Sequence, residues 1–235
     1  MSTTPPANFH FVRDYQKLVT DLLAQFPVDE AMARAVGGSF ERFGAIEGAV
    51  LYWAGLRDGM SLIDFGRGSG RLAWVLGKLS IKLDYLGIDI DQRLLDYAKT
   101  KSPPHFRFAL SQALSVPAPD ASADMMCAFS VFTHLRHTET FLYLRDMHRV
   151  LRPGGTLVFS FLEFALPAHW KTFTDTAAAE LHGGAPHLNE FIERNAIDVW
   201  CEKLGYERIS FIDGTAAPWG EPGALGQSAA ILRRR

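Results

Sequence analysis

Cysteine is nearly missing from this chain. Its 235 residues include two, Cys127 and Cys201, too few and too far apart for a disulfide framework or a thiolate metal site. An excess of charge of either sign is missing as well: 24 Lys and Arg stand against 26 Asp and Glu, a formal net charge of −2. A nucleic-acid-binding face needs a basic surplus, so no nucleic-acid partner is expected; the only basic run is Arg233, Arg234 and Arg235. No apolar stretch reaches the ~18 residues that cross a bilayer, which excludes a spanning helix and predicts no membrane partner. The opening MSTTPPANFH has neither the basic start nor the apolar run of a signal peptide. Repeats and low-complexity blocks are also absent. What remains is an ordinary globular composition, 48% hydrophobic and 21% charged, for which the cytoplasm is the simplest compartment.

Two regimes of patterning divide the chain. From Asn8 to Phe26 the residues Phe11, Val12, Tyr15, Leu18, Val19, Leu22, Leu23 and Phe26 recur at spacings of three and four, one face of a helix that Pro27 stops. A short helix is expected after Asp29, broken at Gly37 and Gly38. Ser39 is placed to cap a third helix carrying Phe43, Ile46, Val50 and Trp53. Residues 1–58 therefore read as an N-terminal helical lid.

From Ser61 onward, apolar runs of strand length alternate with helical stretches. Strands are expected at 61–65, 83–88, 105–109, 123–129, 156–162, 206–212 and 226–232, with helices near 70–79, 91–100, 138–150 and 189–204. This alternation predicts an α/β fold: a Rossmann-like, doubly wound, seven-stranded sheet, mostly parallel with an antiparallel edge strand and helices on both faces. Residues 59–235 would form this domain, with an insertion at about 164–190. Ligands of such sheets bind beyond the carboxyl ends of the strands, at the switch point.

SLIDFGRGSGRLAWVL puts Asp64, Gly66, Gly68 and Gly70 at the turn from first strand to first helix. Glycine permits a tight turn and close backbone approach to a ligand, and the N–H groups at a helix start favour an anionic group. The spacing is G-x-G-x-G, since residue 71 is Arg, and this departs from the nicotinamide fingerprint. Asp89 follows Gly70 by 19 residues at the tip of the second strand, where a carboxylate can accept from a ribose diol.

In this order, the segments resemble the class I S-adenosylmethionine-dependent methyltransferases over about Ser61 to Leu162. DFGRGSG is similar to their first motif and GIDID to their acidic second-strand motif. ALSQALSVPAPDASADMMCAFSVFTHL resembles the loop and fourth strand, and LRPGGTLVF the entry to the fifth. The resemblance implies S-adenosyl-L-methionine as cofactor. Gly66, Gly68, Gly70 and the loop they form would hold its methionine part, with Asp64 supporting the loop or meeting the amino group. Asp89 would bind the ribose hydroxyls, Ile90 would pack on adenine, Gln112 and Ala113 would read the adenine edge, and Ser130 would line the methionine side. Gln112 stands where the family commonly has Asp. Arg67 replaces a small residue of the loop, its side chain facing either solvent or a carboxylate.

The resemblance also places residues 164–190 over the reacting end, with Trp170 and His182 as candidate substrate contacts. His134 and His187 are the candidate catalytic residues; the alternative to base catalysis is a structural or cofactor-positioning role for His134 and a substrate anchor for His187. His134 and His137 form an H-x-x-H with no third ligand, so no metal site is expected. Tyr97 and Lys101 form a Y-x-x-x-K far from any place where dehydrogenase chemistry would sit. Ser102-Pro103-Pro104-His105 reads as a turn. The helical stripe at 11–26 reads as core packing, with Tyr15 its one residue with a path to the cofactor. The implied function is methyl transfer to an oxygen or nitrogen of a small molecule such as a natural product, sugar or lipid-like acceptor. A non-catalytic S-adenosylmethionine-binding protein and an NAD(P)-dependent oxidoreductase are the alternatives.

Overall fold

The computed structural model describes residues 9–184 and 187–235; Asn8 of the expected first helix lies outside them. Three helices come first: α1 (His10–Gln25), α2 (Val28–Arg34) and α3 (Phe40–Trp53). The Pro27 stop falls where expected. Ser39 precedes α3 but sits in the left-handed region at φ 44° and makes no side-chain cap bond, because Gly37 and Gly38 have already turned the backbone. Among the described residues, no helix is long and apolar enough to cross a membrane.

The remaining elements are β1 (Ser61–Phe65), α4 (Arg71–Lys78), β2 (Asp84–Asp89), α5 (Gln92–Lys101), β3 (Arg107–Leu110), β4 (Ala123–Ala128), α6 (His137–Val150), β5 (Leu151–Phe161), α7 (Pro167–Glu180), α8 (Arg194–Leu204), β6 (Tyr206–Ile212) and β7 (Ser228–Arg234), with a single 3-10 turn at Phe132–His134. The strands form one sheet in the order β3-β2-β1-β4-β5-β7-β6. The first five are parallel, and β7 runs antiparallel to both β5 and β6. The Rossmann-like doubly wound sheet is thus present, with its antiparallel strand one place in from the β6 edge.

Alternating side chains of the strands serve two cores, as a sheet covered on both faces requires. Ile63, Phe65, Met126 and Ala128 pack on one side with Tyr143 and Met147 of α6, Ile197 of α8, and Phe11 and Val12 of α1. Leu62, Met125 and Cys127 face the other, with Val50 and Leu51 of α3 and Leu72 and Leu76 of α4.

Three elements depart from expectation, the first being α8, which starts at Arg194 and not at 189 because Phe191 forms a bridge with Leu162 before the helix begins. β5 begins at Leu151, five residues early, because Leu151 already pairs with Ala123 before a register shift at Ala123/Met125. The segment after β5, read as an insertion without an assigned element, contains the 14-residue α7, which starts with Pro at its first turn. Asn189 Nδ2 donates to Thr176 Oγ1 at 2.8 Å, holding the return strand of the insertion to that helix.

The N-terminal helices are tied down on both sides of the switch point between β1 and β4. His10 Nε2 lies 2.9 Å from Glu139 Oε2 on α6. On α5, Arg93 donates to Thr20 Oγ1 and to the Gln16 carbonyl, both at 2.8 Å. Tyr97 and Lys101 serve the same purpose: the hydroxyl donates to Asp29 at 2.8 Å and the ammonium sits 3.3 Å from it. Their spacing on α5 therefore belongs to the docking of α2. Ser102–His105 forms the expected turn, closed by the Phe106 N–H to the Pro103 carbonyl.

Candidate functional site

Beyond the carboxyl ends of β1, β2 and β4, roofed by α1 and the α2–α3 turn, lies a cavity of about 350 Å³. Its floor is built by the glycine loop. Gly66, Gly68 and Gly70 all have positive φ (69°, 58° and 90°). A Cβ on Gly66 would stand 2.3 Å from Val131 Cγ2, and one on Gly68 2.3 Å from Val36 Cγ1. Only glycine lets the loop, the turn after β4 and the roof approach this closely. Gly70 serves packing instead: it is absent from the cavity wall, and its Cβ would meet Ala98 of α5 at 2.4 Å.

The loop's donors are mostly spent internally, contrary to a reading in which they face a ligand. The N–H groups of Gly66 and Arg67 both donate to the Ile88 carbonyl (2.9 and 3.2 Å), that of Gly70 to the Arg67 carbonyl (3.2 Å), and that of Gly68 to Asp89 Oδ2 (2.7 Å). The loop contributes shape more than hydrogen bonds.

Asp89 is buried at the cavity edge. Its Oδ1 accepts from the Ile90 and Asp91 N–H groups at 2.8 and 3.1 Å, and its Oδ2 from Gly68. A carboxylate has about four lone-pair sites, so one remains on Oδ2 for a ligand hydroxyl without rearrangement. Burial pushes the Asp89 pKa upward, and the Arg67 guanidinium and the three N–H donors oppose it. Asp64 lines the cavity from below. The Tyr85 hydroxyl donates to it at 2.6 Å and the Cys127 thiol at 3.5 Å, while burial raises its pKa from 3.8 to about 6. It supports the loop.

Arg67 faces neither solvent nor a paired carboxylate. It is 5% exposed, its Nη2 donates to the Leu94 carbonyl at 3.1 Å, and its guanidinium stacks over the Phe108 ring. Gly87 makes this possible: a Cβ there would sit 2.2 Å from Arg67 Cδ.

Ile90, Ser130, His134 and His187 all reach the cavity. Gln112 and Ala113 do not; their neighbour Ser111 does. Gln112 Nε2 donates to the Ile90 carbonyl at 2.9 Å, which leaves its amide oxygen as the free acceptor, and the Ala113 carbonyl accepts from the Tyr143 hydroxyl. His134 Nδ1 bonds the Leu188 carbonyl at 2.7 Å. A carbonyl only accepts, so Nδ1 carries the proton and Nε2 is the unprotonated nitrogen. Burial lowers the His134 pKa to about 4. The ring stands edge-on to His187 (4.7 Å between centroids) and to Tyr15 (5.3 Å), and Tyr15 of α1 lines the cavity too.

Trp170 and His182 lie elsewhere. Trp170 is 50% exposed and packs with Phe164 and Phe173 on the outside of α7, and His182 is exposed just past its end. Neither lines this cavity or the chamber that adjoins it. The helical register of α7 turns Ala168, His169 and Thr172 inward instead.

Sequence reasoning passed over the far end of the cavity. Arg71 Nε donates to Glu47 Oε1 at 2.7 Å, and its Nη1 to the Val36 carbonyl at 2.5 Å. Both side chains are buried, and burial raises the Glu47 pKa against the pull of Arg71. Two signals were available: a cation in the first turn of α4 opposes the helix dipole, and Glu47 is a lone acid on the buried stripe of α3. Gln227 gave no signal. Its side-chain oxygen accepts from the Ser160 hydroxyl at 2.6 Å and the Ser130 hydroxyl at 3.3 Å, which leaves its amide NH₂ as the free end.

A second chamber, also about 350 Å³, adjoins the first and shares Val36, Gly37, Arg71, Ser130, His134 and Gln227 with it. It runs under α7.

Residues 63–159 match the family model described as a methyltransferase domain. Over 172 residues, 70% of the chain, it is 24% identical to the malonyl-[acyl-carrier protein] O-methyltransferase of Methylococcus capsulatus, covering 58% of that protein. Over 49% of the chain it is 31% identical to a ubiquinone/menaquinone biosynthesis C-methyltransferase of Hahella chejuensis, covering 47% of it. In both cases the chain spans less than two thirds of the relative's length. The fold is similar to that of the N-methyltransferase NodS of Bradyrhizobium japonicum, crystallised with S-adenosyl-L-homocysteine. The TM-score is 0.61 at 18% identity, over 94% of this chain and 98% of that one.

Proposed function

On the premise of the methyltransferase-domain match over residues 63–159, we propose that this chain is a class I S-adenosylmethionine-dependent methyltransferase and that it transfers a methyl group to an oxygen or nitrogen of a small-molecule acceptor, in the cytoplasm and without a nucleic-acid partner. The observation that carries this reading is the continuity of the site. One cavity runs from Asp89 and Ile90 past Gly66 and Gly68 to Ser130 and Gln227, and a second chamber opens at its far end.

The residues fit the cofactor. Asp89 keeps one lone pair for a ribose hydroxyl, Ile90 supplies an apolar surface for adenine, and the glycine loop leaves room for the methionine chain. Arg71, paired with Glu47, lines the end of the cavity that this chain would reach, with Asp64 holding the loop from beneath. Ser111, and not Gln112, is the residue of the loop after β3 that reaches the adenine end of the cavity. When bound, S-adenosylmethionine supplies an electrophilic methyl on a positively charged sulfur and leaves as a neutral thioether.

The chain's own task is then to bind, aim and keep water out. Holding two reactants in line accounts for about 7–11 kcal/mol of barrier, whereas a general base adds on the order of 10²–10⁴-fold. Positioning by the two chambers is therefore the larger part. His134 is suited to the smaller part, since its neutral Nε2 can take the proton that an acceptor hydroxyl gives up. His187 abuts it and shapes the same wall. The open chamber under α7 favours a catalyst over a protein that only binds the cofactor.

Isothermal titration with S-adenosylhomocysteine, NAD and NADP tests this directly. Micromolar binding of the thioether alone is expected. Preferential binding of a nicotinamide dinucleotide would overturn the reading.

A further inference from the structure

The second chamber has a chemistry of its own. None of the residues lining it is acidic, and its one permanent cation, Arg71, is already committed to Glu47 and the Val36 carbonyl. The walls are otherwise apolar (Phe43, Leu162, Leu225) or neutral and polar.

The free valences of those polar groups can be counted. Thr133 lines the chamber at 1% exposure, and its hydroxyl has no partner among the described residues. A buried hydroxyl without a partner has its full hydrogen-bonding capacity left for a ligand or a water. The Gln227 amide NH₂ is left over once its oxygen has accepted from Ser160 and Ser130. The Asn189 oxygen is left over because its nitrogen donates to Thr176. His134 offers its unprotonated Nε2. His169 offers nothing: its Nδ1 accepts from the Glu163 N–H at 3.1 Å and its Nε2 donates to the Gly226 carbonyl at 3.0 Å. What is left is a neutral donor and acceptor set on an apolar wall. A hydroxyl, which donates once and accepts, satisfies such a set. An ammonium would enter with no carboxylate to meet it, and an unpaired charge in a site of this kind is strongly disfavoured.

Resting on the methyl-transfer reading above, we propose that the chamber under α7 is the acceptor site and that it takes an uncharged, hydroxyl-bearing molecule, gripped by the Thr133 hydroxyl and the Gln227 amide, in preference to a cationic amine. Transfer would then be to oxygen. The acceptor oxygen forms the new bond to the methyl carbon as the carbon–sulfur bond breaks, and the hydroxyl proton passes to His134 Nε2 and on to water.

The test uses the full chain and matched pairs of one skeleton, benzyl alcohol with benzylamine and 2-phenylethanol with 2-phenylethylamine. Each is titrated at neutral pH with and without saturating S-adenosylhomocysteine, in wild type and Thr133→Val, which keeps shape and removes the hydroxyl. The expected result has three parts. At least one alcohol binds ten-fold or more tightly than its amine partner. Thr133→Val weakens that alcohol about ten-fold. The same variant leaves the affinity for S-adenosylhomocysteine within two-fold. Equal or tighter binding of the amines, no binding of either alcohol, or an alcohol affinity indifferent to Thr133→Val overturns the proposal. Failure of S-adenosylhomocysteine to bind wild type, with the alcohol preference intact, would instead strike at the cofactor reading alone.

Discussion

The Gly68 N–H donates to Asp89 Oδ2 across 2.7 Å, joining the loop after β1 to the acid at the end of β2. Loop and carboxylate are thereby one unit, and a change in either is felt by both. The bond uses a valence of Asp89 that would otherwise be open to a ligand, and it also holds the remaining one in place.

Asp89→Ala removes both the ligand's acceptor and the loop's anchor. Hydrogen bonds to charged groups contribute roughly 1.5–3 kcal/mol each, so calorimetry should show affinity for S-adenosylhomocysteine reduced about 100-fold or more. Asp89→Asn keeps one carbonyl oxygen and should fall between. Wild-type affinity in Asp89→Ala would contradict the site assignment.

Gly68→Ala places a methyl 2.3 Å from Val36 Cγ1 at φ 58°. The left-handed backbone alone costs about 1–2 kcal/mol, and the clash lifts the α2–α3 turn off the loop. Adding Val36→Ala should restore part of the lost urea midpoint, because it removes the clash and leaves the backbone cost. No recovery in the double variant would show that the roof does not rest on this contact.

Asp64 has a folded-state pKa raised from 3.8 to about 6 by burial. The native state thus holds the proton more tightly than the unfolded chain. This contribution to stability is fully present below about pH 4 and is lost as pH rises through about 6. Asp64→Asn keeps an acceptor for Tyr85 and has no charge to bury. Its stability relative to wild type should rise across that window, by up to about 3 kcal/mol at neutral pH. Parallel stability curves for the two proteins would refute the linkage.

His134, lowered to about 4 by burial, stays neutral throughout the usual assay range. The acid limb of kcat should therefore lie near pH 4–5 and not near the ordinary histidine value. His134→Ala should lower kcat by about 10²-fold or more at unchanged S-adenosylhomocysteine affinity. An acid limb at the ordinary histidine pKa would remove His134 as the proton acceptor.

Much of the first cavity is legible in the sequence. Asp64, the loop glycines and Asp89 lie at strand ends, and the order of strands and helices fixes which ends meet at a switch point. The roles of individual loop atoms were not readable. The N–H groups of residues 66–68 find acceptors in Ile88 and Asp89, twenty or more positions away. Arg67 was ambiguous for a related reason: its slot exists only because Gly87, on the neighbouring strand, lacks a side chain. The second chamber was misjudged at Trp170 and His182. The family resemblance placed their segment over the reacting end, yet the register of α7 turns Ala168, His169 and Thr172 inward and leaves Trp170 outside.

Local chemistry along the chain determined the elements, because helix and strand periods, proline stops and glycine turns act over a few residues. It also set the spacing of the glycine loop and its acid. Tertiary structure alone decided which donors are spent and which are free. Hydrogen-bond satisfaction is a property of neighbours in space: His134 owes its tautomer to Leu188, Gln227 its free amide end to Ser130 and Ser160, and Thr133 its unmet hydroxyl to burial among side chains that offer it no partner.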